Sequence, residues 1–103
     1  MNFLVRILTL FVGCITVAGC CSTEKAKSLQ AKLYSKKASE RSNAAENLAY
    51  CGSNAERAVP RLAQLLYDDN PGVQSMAAYA LRKIDTPAAR SIMKRTDESR
   101  RKR

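Results

Sequence analysis

From about Lys25 onward, apolar side chains recur at steps of three and four, the spacing that gathers them on one face of a helix. Val59, Leu62, Leu65 and Leu66 form one such stripe, and Val73, Met76, Ala77, Ala80, Leu81 and Ile84 form the next. Each stripe has its own punctuation. Ser53-Asn54-Ala55-Glu56 reads as a capping box opening a helix to about Tyr67, within which Pro60 is expected to cause a bend. Asp68-Asp69-Asn70-Pro71-Gly72 reads as a tight turn, with Asn70 the cap and Pro71 the first residue of a helix ending near Ile84. Thr86-Pro87 starts a last helix, expected through about Lys94. Sliding the chain along itself until Leu29 meets Leu62 also aligns Leu33 with Leu66 and Tyr34 with Tyr67. The same shift aligns Ser42 with Ser75, Ala44-Ala45 with Ala77-Ala78, Leu48 with Leu81, Ala55 with Ala88 and Arg57 with Arg90. One register held across two helices and a turn is an internal repeat. It assigns earlier helices to about Lys25–Tyr34 and Glu40–Cys51, and an all-α fold of stacked helical hairpins. A stack of fewer than three units is expected to be marginal or to self-associate.

The N-terminus has a different pattern. Arg6 precedes an uncharged apolar run from Ile7 to Ala18, and the small residues Ala18 and Gly19 stand before Cys20. This is the layout of a cleaved signal peptide; the run is short for a permanent membrane span, which needs about 20 apolar residues.

Val17-Ala18-Gly19-Cys20 resembles the lipobox of bacterial lipoproteins. The resemblance implies cleavage after Gly19, a diacylglyceryl thioether on Cys20 and stable anchoring outside the cytoplasm. Cys21 rather than Asp after the lipidated position points toward the periplasmic face of the outer membrane if the cell is Gram-negative. The expected organisation is a lipoprotein signal peptide over 1–19, a lipidated tether over 20–24, a helical repeat domain over 25–95 and a basic tail over 96–103.

Glu56 to Asp85 resembles a HEAT repeat of the short bacterial, phycobilisome-lyase-like type. The resemblance rests on Pro60, Leu65-Leu66, Asp68, Asp69, Val73, Ala77-Ala78, Ala80-Leu81 and Ile84. One departure is Gln74, where Arg often follows the Val of the second helix; another is Glu40, where the preceding repeat would carry that Val. The resemblance implies a short α-solenoid used as a protein-interaction or scaffold module. Such stacks expose the outward residues of their second helices, here Arg41, Glu46, Gln74, Tyr79, Arg82 and Lys83. Tyr34 and Tyr67 are expected to pack at helix ends.

Composition narrows the chemistry. The 103 residues contain no His, so histidine catalysis and histidine metal ligation are excluded. No glycine-rich phosphate loop or nucleophile elbow is present, and Asp68-Asp69 reads as a solvated, helix-capping turn rather than a catalytic pair. No enzyme, cofactor, metal or small-molecule substrate is expected. If Cys14 leaves with the signal and Cys20 carries lipid, Cys21 and Cys51 remain. An oxidising compartment could pair them within or between chains. The favoured expectation is a free Cys51 buried as a small hydrophobe, with Cys21 a second acylation site or an idle thiol. Eighteen basic against nine acidic side chains give a net charge of +9. Lys25, Lys27 and Lys32 are placed to meet anionic headgroups, and Arg100-Arg101-Lys102-Arg103 forms a compact basic cluster. An anchor outside the cytoplasm removes nucleic acid as its partner. The alternatives to a scaffold are an envelope protein contacting anionic lipid or cell-wall polymer through charge, and an accessory subunit of an envelope enzyme complex.

Overall fold

The computed structural model describes residues 21–103, so the signal-like segment and the lipobox with Cys20 lie outside the described residues. Ser22 opens the first helix, α1 (Thr23–Lys32), by accepting the Lys25 amide on its Oγ at 3.2 Å. Glu24 in its first turn and Lys32 in its last complement the helix dipole. The second helix, α2 (Ala38–Ala49), starts without a side-chain cap. Its entry is fixed instead by the Ser35 hydroxyl, which donates to Glu40 at 2.6 Å and accepts the Lys37 amide. Gly52 then turns the chain at φ +57°, a conformation that L side chains rarely adopt.

Pro60 acts differently from the bend expected of it. The residues before it, Gly52–Ala58, wind as a 3-10 helix without a side-chain cap, so the capping box does not form. The α-helix proper, α3 (Val59–Leu65), begins with Pro60 in its first turn. A proline has no amide to give the carbonyl four residues back, and only in the first turn of a helix does that cost nothing. The helix therefore restarts at the proline.

Asn70 caps α4 (Pro71–Ile84) as expected, its Oδ1 accepting the Gly72 and Val73 amides at 2.8 and 3.2 Å. Asp85 ends α4 in the left-handed conformation, and the Thr86 hydroxyl caps α5 (Pro87–Arg101) by accepting the Ala89 amide. α5 runs well past its expected end at Lys94. The stretch 96–103, read as a basic tail, is helical through Arg101, and Thr96 within it is buried with its hydroxyl donated to the Ile92 carbonyl at 2.9 Å.

α2 and α4 lie side by side in one layer; α1, the 3-10/α3 segment and α5 form the other. The α2–α4 contact is the most extensive in the molecule. Its buried faces carry Ala44, Ala45 and Ala49 from one helix and Ala77, Ala78 and Ala80 from the other, small side chains that let two helices approach closely. Leu33, Leu48, Leu62, Leu65 and Leu81 fill the space between the layers. Among the described residues, no buried side-chain nitrogen or oxygen lacks a hydrogen bond. The repeat register holds in space: Leu29, Leu33, Leu62 and Leu66 are all buried, as are Leu48 and Leu81. Tyr34 and Tyr67 also match each other, but at 61% and 70% exposure they project outward rather than packing at helix ends. Ala55 and Ala88 part company: the first is buried and the second exposed.

The stack has two edges. One carries the turns at Ser35–Lys37 and Asp68–Asn70 together with the C-terminus of α5. The other carries the ends of α2 and α4 and the start of the described chain. There Cys21 and Cys51 form a disulfide across a Cα–Cα distance of 4.7 Å. Cys51 does sit buried against the core, but it is bonded and not free, and Cys21 is neither idle nor available for a second acyl chain. The bond closes a loop over a sequence separation of 30, enclosing the whole first hairpin.

Two stability measurements follow from this packing. Leu81→Ala is expected to cost about 2–5 kcal/mol in a urea titration followed by circular dichroism, because Leu81 is buried where two helices and the second layer meet. Reduction of the parent is expected to lower stability by about 2–4 kcal/mol, while Cys21→Ser starts at the lower value and does not respond to reductant.

Candidate interaction surfaces

At the turn edge, Arg41 is drawn inward. Its Nε and Nη2 donate to the two carboxylate oxygens of Asp68, both at 3.0 Å, and its Nη1 donates to the Ser35 and Lys36 carbonyls at 2.9 and 3.0 Å. The two side chains are only 14% and 9% exposed. Planar guanidinium and carboxylate meet here through two parallel bonds, the strong form of this pairing. The expected outward position of Arg41 is thus corrected: it ties the first repeat to the turn of the second. Gln74, at the matching position of α4, donates through Nε2 to the Asp68 carbonyl and so holds its own turn without reaching further. Arg61 makes a similar tie on the other layer, a role that sequence reading missed. Its Nε and Nη2 donate to the Leu33 carbonyl, which caps the end of α1, and its guanidinium lies 4.3 Å from the Tyr34 ring centre.

The electrostatics of Asp68 follow from these contacts. Burial pushes its carboxyl up. The Arg41 hydrogen bonds, the Asn70 amide and the charges of Arg41 and Arg61 together outweigh burial, and hold the carboxyl below its ordinary value.

At the opposite edge, the Tyr50 and Tyr79 hydroxyls meet at 3.2 Å, and the Lys83 ammonium lies 5.8 Å from the Tyr79 ring centre. The Tyr79 hydroxyl raises the Tyr50 phenol above its usual range, with smaller contributions from burial and Glu46, while Lys83 opposes them. The repeat register accounts for the cluster. Glu46 on α2 and Tyr50 at its C-cap occupy the positions of Tyr79 and Lys83 on α4, so two adjacent helices present one i, i+4 pair each. Tyr50 was missed as a surface residue although the register aligns it with Lys83, itself read as outward-facing. It is 68% exposed.

Arg82 faces a third region. Between α4 and the C-terminal half of α5 runs an open groove, in which Arg82 and Arg100 flank Gln74, Ser75 and Ala78. It continues past Thr96 and Ser99 to Arg103 in a recess of about 310 Å³. The six expected surface residues therefore do not form one patch: Arg41 and Gln74 converge on Asp68, Glu46, Tyr79 and Lys83 gather around Tyr50, and Arg82 joins the α5 groove. Among the described residues, no group of three His, Cys, Asp or Glu side chains could hold a metal ion, and no helix is long and apolar enough to cross a membrane.

A group whose folded pKa is depressed stabilises the fold above its unfolded pKa, and that contribution is lost as pH falls through the folded value. The Asp68 contribution is accordingly complete at neutral pH and disappears in acid, below the ordinary carboxylate range. Asp68→Asn is expected to lower stability at pH 7 and to flatten the acid limb of a stability–pH curve measured by urea titration.

No curated protein and no solved structure matches the chain. A family model described as HEAT repeats matches residues 26–103, the span that carries both hairpins, the Arg41–Asp68 tie and α5. By that match and by its two-layer helical stack, the chain belongs to the HEAT repeat family.

Proposed function

We propose that this chain is a bacterial lipoprotein, held in the cell envelope by a diacylglyceryl group on Cys20, whose HEAT stack captures an acidic protein partner. HEAT repeats serve as protein-interaction and scaffold modules, and that coarse role rests on the family match. The observation that carries the finer reading is the open α4–α5 groove, where Arg82, Arg100 and Arg103 line a concave surface without an acidic side chain among its lining residues. Ser75 and Ser99 add hydroxyls that can donate to carboxylate groups. Concavity combined with one sign of charge favours capture of the opposite sign.

The lipoprotein part rests on Val17-Ala18-Gly19-Cys20 behind Arg6 and the apolar run. In this reading residues 1–19 are removed, and the repeats are of the phycobilisome-lyase-like type. Cys20 carries the lipid directly ahead of the disulfide-bonded Cys21 rather than at the head of a 20–24 tether, since α1 already begins at Thr23. The protein faces away from the cytoplasm, on the periplasmic face of the outer membrane in a Gram-negative cell, out of reach of nucleic acid. It is not an enzyme and takes no cofactor beyond its covalent lipid: Asp68, the better placed of the two adjacent acids, is committed to Arg41.

A second reading is favoured by charge distribution. Arg82, Lys83, Arg90, Lys94, Arg95 and the run from Arg100 to Arg103 crowd the last part of the chain against only Asp85, Asp97 and Glu98. Such a surface also suits anionic lipid or a cell-wall polymer, and a scaffold of this size also suits an accessory subunit of an envelope enzyme complex.

Cross-linking in intact cells separates these readings. The scaffold reading expects one stoichiometric protein partner, lost in Arg82→Glu with Arg100→Glu while helicity is unchanged; exposed substitutions of this kind shift stability by only about 0.5 kcal/mol. Recovery of no protein partner from the parent favours the charge reading. Labelling with radioactive fatty acid tests the anchor: Cys20→Ser is expected to lose the label and Cys51→Ser to keep it.

A further inference from the structure

The disulfide and a tyrosine pair, Tyr50 exposed and Tyr79 half-buried, share one edge of the fold, and Cys20 of the lipobox immediately precedes Cys21 in the sequence. Cys21 is bonded to Cys51, and its carbonyl accepts the Asn54 side-chain amide at 2.7 Å. The first described residue of the chain is thus fastened to the body of the stack twice, by a covalent bond and by a hydrogen bond. One residue further on from Cys51 in the other direction stands Tyr50, whose hydroxyl meets that of Tyr79, with Lys83 beside the Tyr79 ring. Cys20 is joined to Cys21 by a single peptide bond, a reach of about 3.8 Å between Cα atoms. A lipid on Cys20 therefore has no free linker between it and the fold: the spacer is locked to the disulfide edge.

We propose that this edge is a membrane seat: the tyrosine pair rests in the headgroup layer of the same leaflet that holds the Cys20 acyl chains, and the Cys21–Cys51 bond fixes the stack upright on it. The inference rests on the lipoprotein reading. Tyrosine suits the role because its ring is apolar and its hydroxyl is wet, which is why it is enriched at membrane interfaces. Tyr50 and Tyr79 hydrogen-bond to each other, and the headgroup layer offers partners for the rest of their polar capacity. Lys83 adds a cation at headgroup depth. The opposite edge then points away from the bilayer. α2 alone sets the two edges about 18 Å apart, so the seat leaves Arg100 and Arg103 at the distal end of the stack, free to meet a partner.

The chain contains no Trp and four Tyr, so its intrinsic emission comes from tyrosine alone. Tyr50 and Tyr79 belong to the disulfide edge, while Tyr34 and Tyr67 lie at the turn edge, at the ends of α1 and α3. The full mature protein, with its lipid verified by intact mass, is reconstituted into vesicles of phosphatidylethanolamine and phosphatidylglycerol with brominated acyl chains, which quench nearby rings. The parent is expected to be quenched. Tyr50→Phe with Tyr79→Phe is expected to show no quenching, because its remaining emitters stand away from the bilayer. Cys21→Ser, still lipidated, is expected to lose the difference between the two edges as the stack swings on a free tether. Equal fractional quenching of the parent and the double variant overturns the seat, as does an unquenched parent. Quenching of Cys21→Ser at the parent's level overturns the role given to the disulfide. A mass without lipid is a separate failure, that of the lipoprotein reading, and removes the seat with it.

Discussion

The alanine seam between α2 and α4 is the constraint on which the other features of this fold depend. Ala44, Ala45 and Ala49 face a helix that carries Ala77, Ala78 and Ala80, and all six are buried. Larger side chains would hold the helices further apart, and both ends of the seam would then lose their ties. At one end Arg41 spans from α2 to Asp68 just ahead of α4; at the other the Tyr50 and Tyr79 hydroxyls touch across the same gap. Neither contact tolerates much separation, since hydrogen bonds weaken steeply beyond their normal length. Close helix packing thus turns two sequence repeats into one rigid body with two chemically distinct edges.

Much of this was legible in the sequence, and what was not had physical reasons. The repeat register, the Asn70 and Thr86 caps and the extent of α4 were readable because each rests on local rules of helix geometry. The 3-10 start before Pro60 was not, because the capping-box pattern at Ser53–Glu56 and the proline make conflicting demands, and the proline, which lacks an amide, prevails. The full length of α5 was hidden because its inner face turns polar after Met93. Thr96 takes a core position there by giving its hydroxyl to its own helix, which no apolar pattern records. The disulfide depends on how Cys21, just ahead of α1, comes to lie against the end of α2, a long-range fact that spacing alone does not contain.

The surface residues illustrate the same divide. Outward position on a helix was read from periodicity, and it served for Glu46, Arg82 and Lys83, which are exposed. It failed for Arg41, whose long side chain reaches back over a turn to a carboxylate contributed by the next repeat. It also passed over Arg61, which leaves its own helix to cap α1. In an α-solenoid a long basic side chain can serve as stitching between repeats, and only the partner's location distinguishes a stitch from a binding residue.

Gln74 sets what the second repeat offers at its turn. An arginine in its place would extend beyond its own turn, as Arg41 does, and offer a handhold to whatever came next. Glutamine stops at the Asp68 carbonyl. On the neighbouring helix Thr96, Ser99 and Arg100 stand where a further hairpin would require an oily surface. Stacked repeats contact only their neighbours, so a shortened side chain and a hydroxyl-bearing helix make this face of the stack polar and suit it to a wet contact rather than an oily one.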